Sequence, residues 1–216
     1  MTVRSFTVGP FPENTYVIHS AGEAAVVDPG TASGEERDRV HSYIERNGLR
    51  VRHLLLTHGH LDHILGCSQF AARYASGAEG GGWAMHPADL PLLQNARVQG
   101  EMFGIRVTEP PAPTRDLAHG DQIELGESTL EVRHAPGHSP GSVVFVDHAN
   151  GQVIGGDVLF QGSIGRTDLW GGDTATLLAS IREQLLTLPD ETVVYSGHGS
   201  STTVGAERRS NPFLVG

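Results

Sequence analysis

The chain has 216 residues, 38% hydrophobic, with a formal net charge of -10, and every basic residue is arginine. That length suits a single domain, residues 1–216, with a sizeable core. The acidic balance argues against a nucleic-acid partner, and the lack of lysine excludes Schiff-base and phosphate-loop lysine chemistry. The lone Cys67 rules out an intrachain disulfide. No apolar run approaches membrane-spanning length, and the first residues lack the apolar core of a signal peptide. A cytoplasmic protein without a membrane partner is expected.

In chain order, residues 3–8, 14–20 and 24–28 read as short strands, with turns at Gly9-Pro10 and Ala21-Gly22. Residues 35–46 read as a helix with Val40, Tyr43 and Ile44 on one face, and 53–57 as a strand. A helix is expected over about 66–75, where Cys67, Phe70, Ala71 and Tyr74 share a face and bury the thiol. The Gly-rich stretch 77–82 reads as a connector into a strand at 83–85, and 87–98 as a helix opened by Pro87. The Pro-rich stretch 109–113 reads as a loop. A meander follows over 122–125, 128–134, 142–147 and 152–156, turning at Gly126-Glu127 and Asn150-Gly151. Asp173 then caps a helix over 174–186, and a last strand runs through 192–195.

The most informative stretch is Thr57-His58-Gly59-His60-Leu61-Asp62-His63, directly after the apolar Leu54-Leu55-Leu56. A strand-end loop of this kind can aim His58 and His60 at one metal ion, and Asp62 and His63 at a second. The bland alternative is a His-rich surface loop, since the chain has 12 histidines. Against it, three further sites share the pattern of a turn glycine followed by a ligand: Gly137-His138, Gly156-Asp157 and Gly197-His198.

The order His-x-His-x-Asp-His, then His, Asp and His, resembles the metallo-β-lactamase superfamily over nearly the whole chain. Glu13-Asn14-Thr15-Tyr16 and Val26-Val27-Asp28-Pro29-Gly30 are similar to its first hairpin. Gly156 to Phe160, Gly165 to Asp168, and Glu207-Arg208 with Asn211-Pro212-Phe213 resemble the short, single-domain glyoxalase II branch, the hydroxyacylglutathione hydrolases. The resemblance implies an α/β fold: a four-layer αβ/βα sandwich of two mixed sheets flanked by helices. It implies that His58, His60 and His138 hold one divalent ion, that Asp62, His63 and His198 hold another, and that Asp157 bridges them. No position of that seven-ligand set is missing. Zinc is the expected metal, and iron and manganese accept the same ligands. Longer glyoxalases II grip glutathione with basic residues of a C-terminal helical domain. This chain stops at Gly216, which leaves the thiol carrier open.

Two such ions bring four positive charges, of which Asp62, Asp157 and a bridging hydroxide offset three. Hydroxide formed at such a site can attack a carbonyl carbon at neutral pH. A thiolate leaves without a proton, whereas an amide nitrogen needs one. The motifs hold no additional acid for that role, although Asp62 could in principle serve, so a small-molecule 2-hydroxyacyl thioester such as S-lactoylglutathione is the favoured substrate. A persulfide dioxygenase with one iron on His58, His138 and Asp157 is the main rival, followed by a lactone hydrolase. A class B β-lactamase fits less well, because Cys67 is misplaced for its metal, and a non-catalytic module leaves the open ligand set without purpose. Among other candidates, His134 is expected to support the turn before His138, and His86 to be structural. His19, His41, His53, His119 and His148 are expected at the surface or in turns. Arg166 and Asp168 read as a buried ion pair, Arg208 and Arg209 as structural, and Asn14 and Tyr16 as hairpin residues.

Overall fold

Alternation along the strands sets the layers, because successive side chains of a strand face opposite ways. In a computed structural model describing residues 1–215, Val17, Val26 and Leu54 face one apolar cluster, while Ile18, Val27 and Leu55 face another. These residues lie on β2 (Glu13–Ser20), β3 (Glu23–Val27) and β4 (Arg50–Leu55). With β1 (Thr2–Val8), β5 (Trp83–Met85) and β6 (Arg115–Asp116) they form a six-stranded sheet in the order β1-β2-β3-β4-β5-β6. β1, β2 and β3 pair antiparallel, and β3 through β6 pair parallel.

The second six-stranded sheet runs β14-β13-β10-β9-β8-β7. Its members are β7 (Gln122–Leu125), β8 (Ser128–His134), β9 (Val143–Asp147), β10 (Gln152–Gly156), β13 (Val193–Ser196) and β14 (Thr202–Thr203). A two-residue hairpin, β11 (Leu159–Phe160) and β12 (Ser163–Ile164), lies between β10 and the next helix in sequence. Phe145, Ile154 and Val132 of this sheet meet Ile18 and Leu55 of the first in the central core. Val144, Val146 and Val153 turn outward against Leu177, Ile181 and Leu185.

Helices cover both outer faces. α1 (Gly34–Arg46) packs Val40 and Ile44 on the first sheet, and Ser33 with Glu36 closes a capping box at its start. α2 (Leu61–Ile64) and α3 (Cys67–Tyr74) follow β4, and α3 buries Cys67 and Phe70 in the same layer. On the other face, α6 (Thr174–Ser180), capped by Asp173, runs into a π turn, Ile181–Leu185. α7 (Val204–Ser210) follows β14. The layer order is the expected αβ/βα sandwich. No helix among the described residues is long and apolar enough to cross a membrane.

Three expectations need correction. The helix expected over 87–98 is broken into a 3-10 turn, Pro87–Asp89, and two short helices, α4 (Leu90–Gln94) and α5 (Ala96–Phe103). The break falls at Asn95, whose side chain turns back onto the Pro91 carbonyl at 2.8 Å. β4 begins at Arg50 and ends at Leu55, because Leu56 and Thr57 already turn into the loop. His53 is buried rather than at the surface, and its Nε2 meets the Glu124 carbonyl at 2.8 Å between the sheets.

Candidate metal centre

Four chain segments at one edge of the sandwich hold the seven residues. The β4–α2 turn carries His58 and His60, and α2 itself carries Asp62 and His63; the turn after β8 carries His138. Asp157 follows the end of β10, and His198 follows β13. The parallel pairing of β10 with β13 brings the last two together, and Gly197 N–H donates to the Gly156 carbonyl at 2.7 Å. Glycine is required at 197: a Cβ there would collide with Asp157 Oδ1 and come within 2.8 Å of His63 Cε1.

The side chains converge as two groups around Asp157. His138 Nε2 lies 2.8 Å from His60 Nδ1 and 3.2 Å from His58 Nε2. His198 Nε2 lies 3.1 Å from Asp62 Oδ2, and His63 Nε2 lies 3.9 Å from the same oxygen. Asp157 faces both groups, with Oδ2 3.6 Å from His138 Nε2 and 3.5 Å from His198 Nε2, and Oδ1 3.4 Å from His63 Nε2. All seven predicted residues therefore meet at one place.

Oxygen atoms fix the outward-facing nitrogens of four of these rings, as supports of metal-ligating histidines do. His58 Nδ1 meets Thr57 Oγ1 at 3.0 Å, His63 Nδ1 meets Asp28 Oδ2 at 3.0 Å, and His138 Nδ1 meets the Arg166 carbonyl at 2.8 Å. His198 Nδ1 meets the Pro12 carbonyl at 3.2 Å.

Electrostatics divides the centre. Burial lowers the pKa of His58 well below the ordinary imidazole value and that of His60 to about 3, with the neighbouring histidines adding to the effect. Both are neutral near pH 7, the form that binds metals. Burial opposes charge on His63 too, but Asp157 and Asp62 outweigh it and hold its pKa well up. At His198 burial is likewise outweighed, by the Asp62 hydrogen bond and Asp157. The Asp157 carboxyl is resisted by burial yet held low by His63 and its neighbours.

The residues fit two divalent ions. His63 Nε2 and Asp157 Oδ1 are buried without a hydrogen-bond partner, although they face one another. Such orphaned groups are costly, and a cation between them satisfies both. The first group offers three nitrogens within ligand reach, and the second offers a carboxylate with two imidazoles.

Sequence reasoning missed three supporting carboxylates. Asp28, at the end of β3, accepts from Thr57 N–H at 2.7 Å and Thr57 Oγ1 at 2.5 Å as well as facing His63. Its place just after an apolar strand was the available signal. Glu13 is fully buried 3.8 Å from His63 Nδ1, and burial raises its carboxyl well above the usual range. Asp89 accepts from Gly59 N–H at 2.9 Å, Ser139 Oγ at 2.7 Å and Gly141 N–H at 2.5 Å, tying two ligand loops together.

The other candidates lie outside the cluster. His134 supports the turn through the Pro140 carbonyl at 2.9 Å and stacks on His86. His19 and His41 meet the hydroxyls of Tyr43 and Tyr74. His119 and His148 are exposed. Tyr16 and Asn14 brace the His198 loop through the Ser196 carbonyl, at 2.6 and 3.1 Å. Arg208 and Arg209 hold Asp190, and Cys67 is buried in the core. The Arg166–Asp168 pair is exposed rather than buried, since it closes on itself at the rim of the cleft.

A cleft of about 380 Å³ opens over Asp62, Asp157 and His198. A family model of the metallo-beta-lactamase superfamily matches residues 8–198. Hydroxyacylglutathione hydrolase GloC of Haemophilus influenzae is 39% identical over 99% of this chain and 98% of its own. The B3 metallo-beta-lactamase BLEG-1 superposes with a TM-score of 0.89 at 35% identity, covering 100% of each chain. The di-iron-bound form of TTHA1623 superposes with a TM-score of 0.85 at 39% identity, covering 98% of this chain and 100% of its own. The match across the cluster, together with the layer order, makes this chain a member of the metallo-beta-lactamase superfamily.

Proposed function

We propose that the protein is a dinuclear metallohydrolase that cleaves 2-hydroxyacyl thioesters. The observation that carries this reading is the convergence of two three-residue groups on the single carboxylate of Asp157. His58, His60 and His138 would hold one ion, and Asp62, His63 and His198 the other, with Asp157 shared. Bound there, divalent ions supply Lewis acidity, which acidifies water and polarises a carbonyl. Asp62, half-buried and hydrogen-bonded by His198, faces the cleft and is placed to hold the proton of an attacking water. Hydrolysis consumes one water, breaks the C–S bond and releases a carboxylic acid and a thiol.

The resemblance of the chain to GloC supports the acyl class, and the ease with which a thiolate leaves supports a thioester over an amide. A mononuclear dioxygenase would use only His58, His138 and Asp157, leaving the convergence of Asp62, His63 and His198 without a purpose. Zinc is the favoured metal, although a di-iron form of a relative makes iron a close rival. Zinc-loaded and iron-loaded protein should be given S-lactoylglutathione, with thiol release and oxygen uptake followed together. Stoichiometric thiol and acid without oxygen uptake is the expected result. Oxygen uptake with glutathione persulfide, and no thiol from any acyl thioester, would assign the dioxygenase instead.

A further inference from the structure

Away from the metal centre, the cleft wall is apolar. Phe11, from the β1–β2 turn, and Phe103, at the end of α5, meet edge to face with centroids 5.0 Å apart. Phe160, on the β11–β12 hairpin, closes on His198 at 6.1 Å. Phe103 is 50% exposed, so its ring is open to a ligand in the cleft.

Gln99 and Arg166, two polar groups on the wall, are already engaged. Gln99 accepts from Leu61 N–H and donates to the Gly59 and Leu92 carbonyls. Among the described residues Arg166 is the one arginine lining the cleft, and its guanidinium donates to both oxygens of Asp168 at 2.7 Å. The carboxylates of a peptide thiol therefore find no second arginine in the wall of the cleft among the described residues.

Resting on the thioesterase reading, we infer that the carrier thiol of the substrate is uncharged and apolar, packed against Phe11 and Phe103. An aromatic or alkyl thiol covers those rings and gains the burial that a glutathionyl group, with its two carboxylates, cannot provide. Phe103 then acts on specificity and not on the bond that breaks.

The test compares lactoyl thioesters of benzyl mercaptan and of glutathione on metal-loaded protein, since the acyl group is then constant. We expect kcat/KM roughly tenfold higher for the benzyl thioester. Phe103→Ala should raise KM for the benzyl thioester and narrow that ratio toward one, with kcat little changed. An equal or higher kcat/KM for the glutathione thioester, or a ratio that Phe103→Ala leaves intact, overturns the inference. If neither thioester is cleaved, the thioesterase reading fails, and calorimetry still decides the inference. The uncleavable 2-hydroxypropyl benzyl thioether should bind more tightly than S-(2-hydroxypropyl)glutathione, and Phe103→Ala should remove the difference. The reverse order of binding overturns it.

Discussion

Asp157 is the residue on which the centre turns. Among the described residues it is the one carboxylate within 3.6 Å of nitrogens from both groups. Without it, His63 loses the strongest partner that keeps it charged, and the two groups lose their common ligand. Asp157→Ala should therefore disturb both ions together and lower turnover by about two orders of magnitude or more. The fold should survive, because the three apolar clusters owe nothing to this side chain. Metal stoichiometry, turnover and circular dichroism check this. Retention of two ions with near-normal turnover would remove the shared-ligand role.

At the scale of elements, the ligand loops are held by a brace that lies between them. Asp89 sits at the end of the 3-10 turn that precedes α4 and accepts from both the His58–His63 loop and the His138 loop. Truncating it leaves buried donors unpaired, at about 1–3 kcal/mol each. Asp89→Ala should lower stability by about 3 kcal/mol and weaken the first ion, whereas Asp89→Asn should recover part of both. Urea unfolding and a metal-competition titration measure the two effects. Loss of stability without loss of metal affinity would make the brace purely structural. The ligands themselves were legible because five of them, His58, His60, His138, Asp157 and His198, stand next to a glycine at a strand-end turn, a pattern confined to a few neighbouring residues. Asp89 was not, because its partners are 30, 50 and 52 residues away and only the folded loops bring them near. The burial of His53 was hidden for the same reason, its partner Glu124 being 71 residues away, whereas the break at Asn95 turns on a bond only 4 residues back. A side-chain bond to a preceding carbonyl and a contact with the second sheet outweigh local periodicity. The short pieces β11, β12 and β14 carry too few residues for alternation to declare them.

On the scale of the whole molecule, the ions join the two sheets. β4 belongs to the first sheet, and β8, β10 and β13 to the second, so each ion would draw ligands from both. Ligands that bind only the folded state stabilise it by mass action. Chelation should keep the secondary structure, because the cores are complete without the site, but lower the unfolding midpoint by several degrees. The electrostatic division adds a sign to this. His58 and His60 are already neutral near pH 7, so an ion there displaces no proton from them. His63 and His198 are held protonated above the ordinary imidazole value by Asp157 and Asp62, and must lose protons before they can ligate. Affinity at the second position should therefore rise with pH through the neutral range, and more steeply than at the first, where His58 and His60 hold no proton to lose. Calorimetric titration of metal-free protein in buffers of different ionisation enthalpy reads this directly. The equivalent bound at the Asp62–His63–His198 group should release more protons than the equivalent bound at the first group, where His58 and His60 have none to lose. The two are told apart by repeating the titration on His198→Ala. Equal proton release from both positions, or a first position as sensitive to pH as the second, would contradict the division of the centre into a neutral and a charged half.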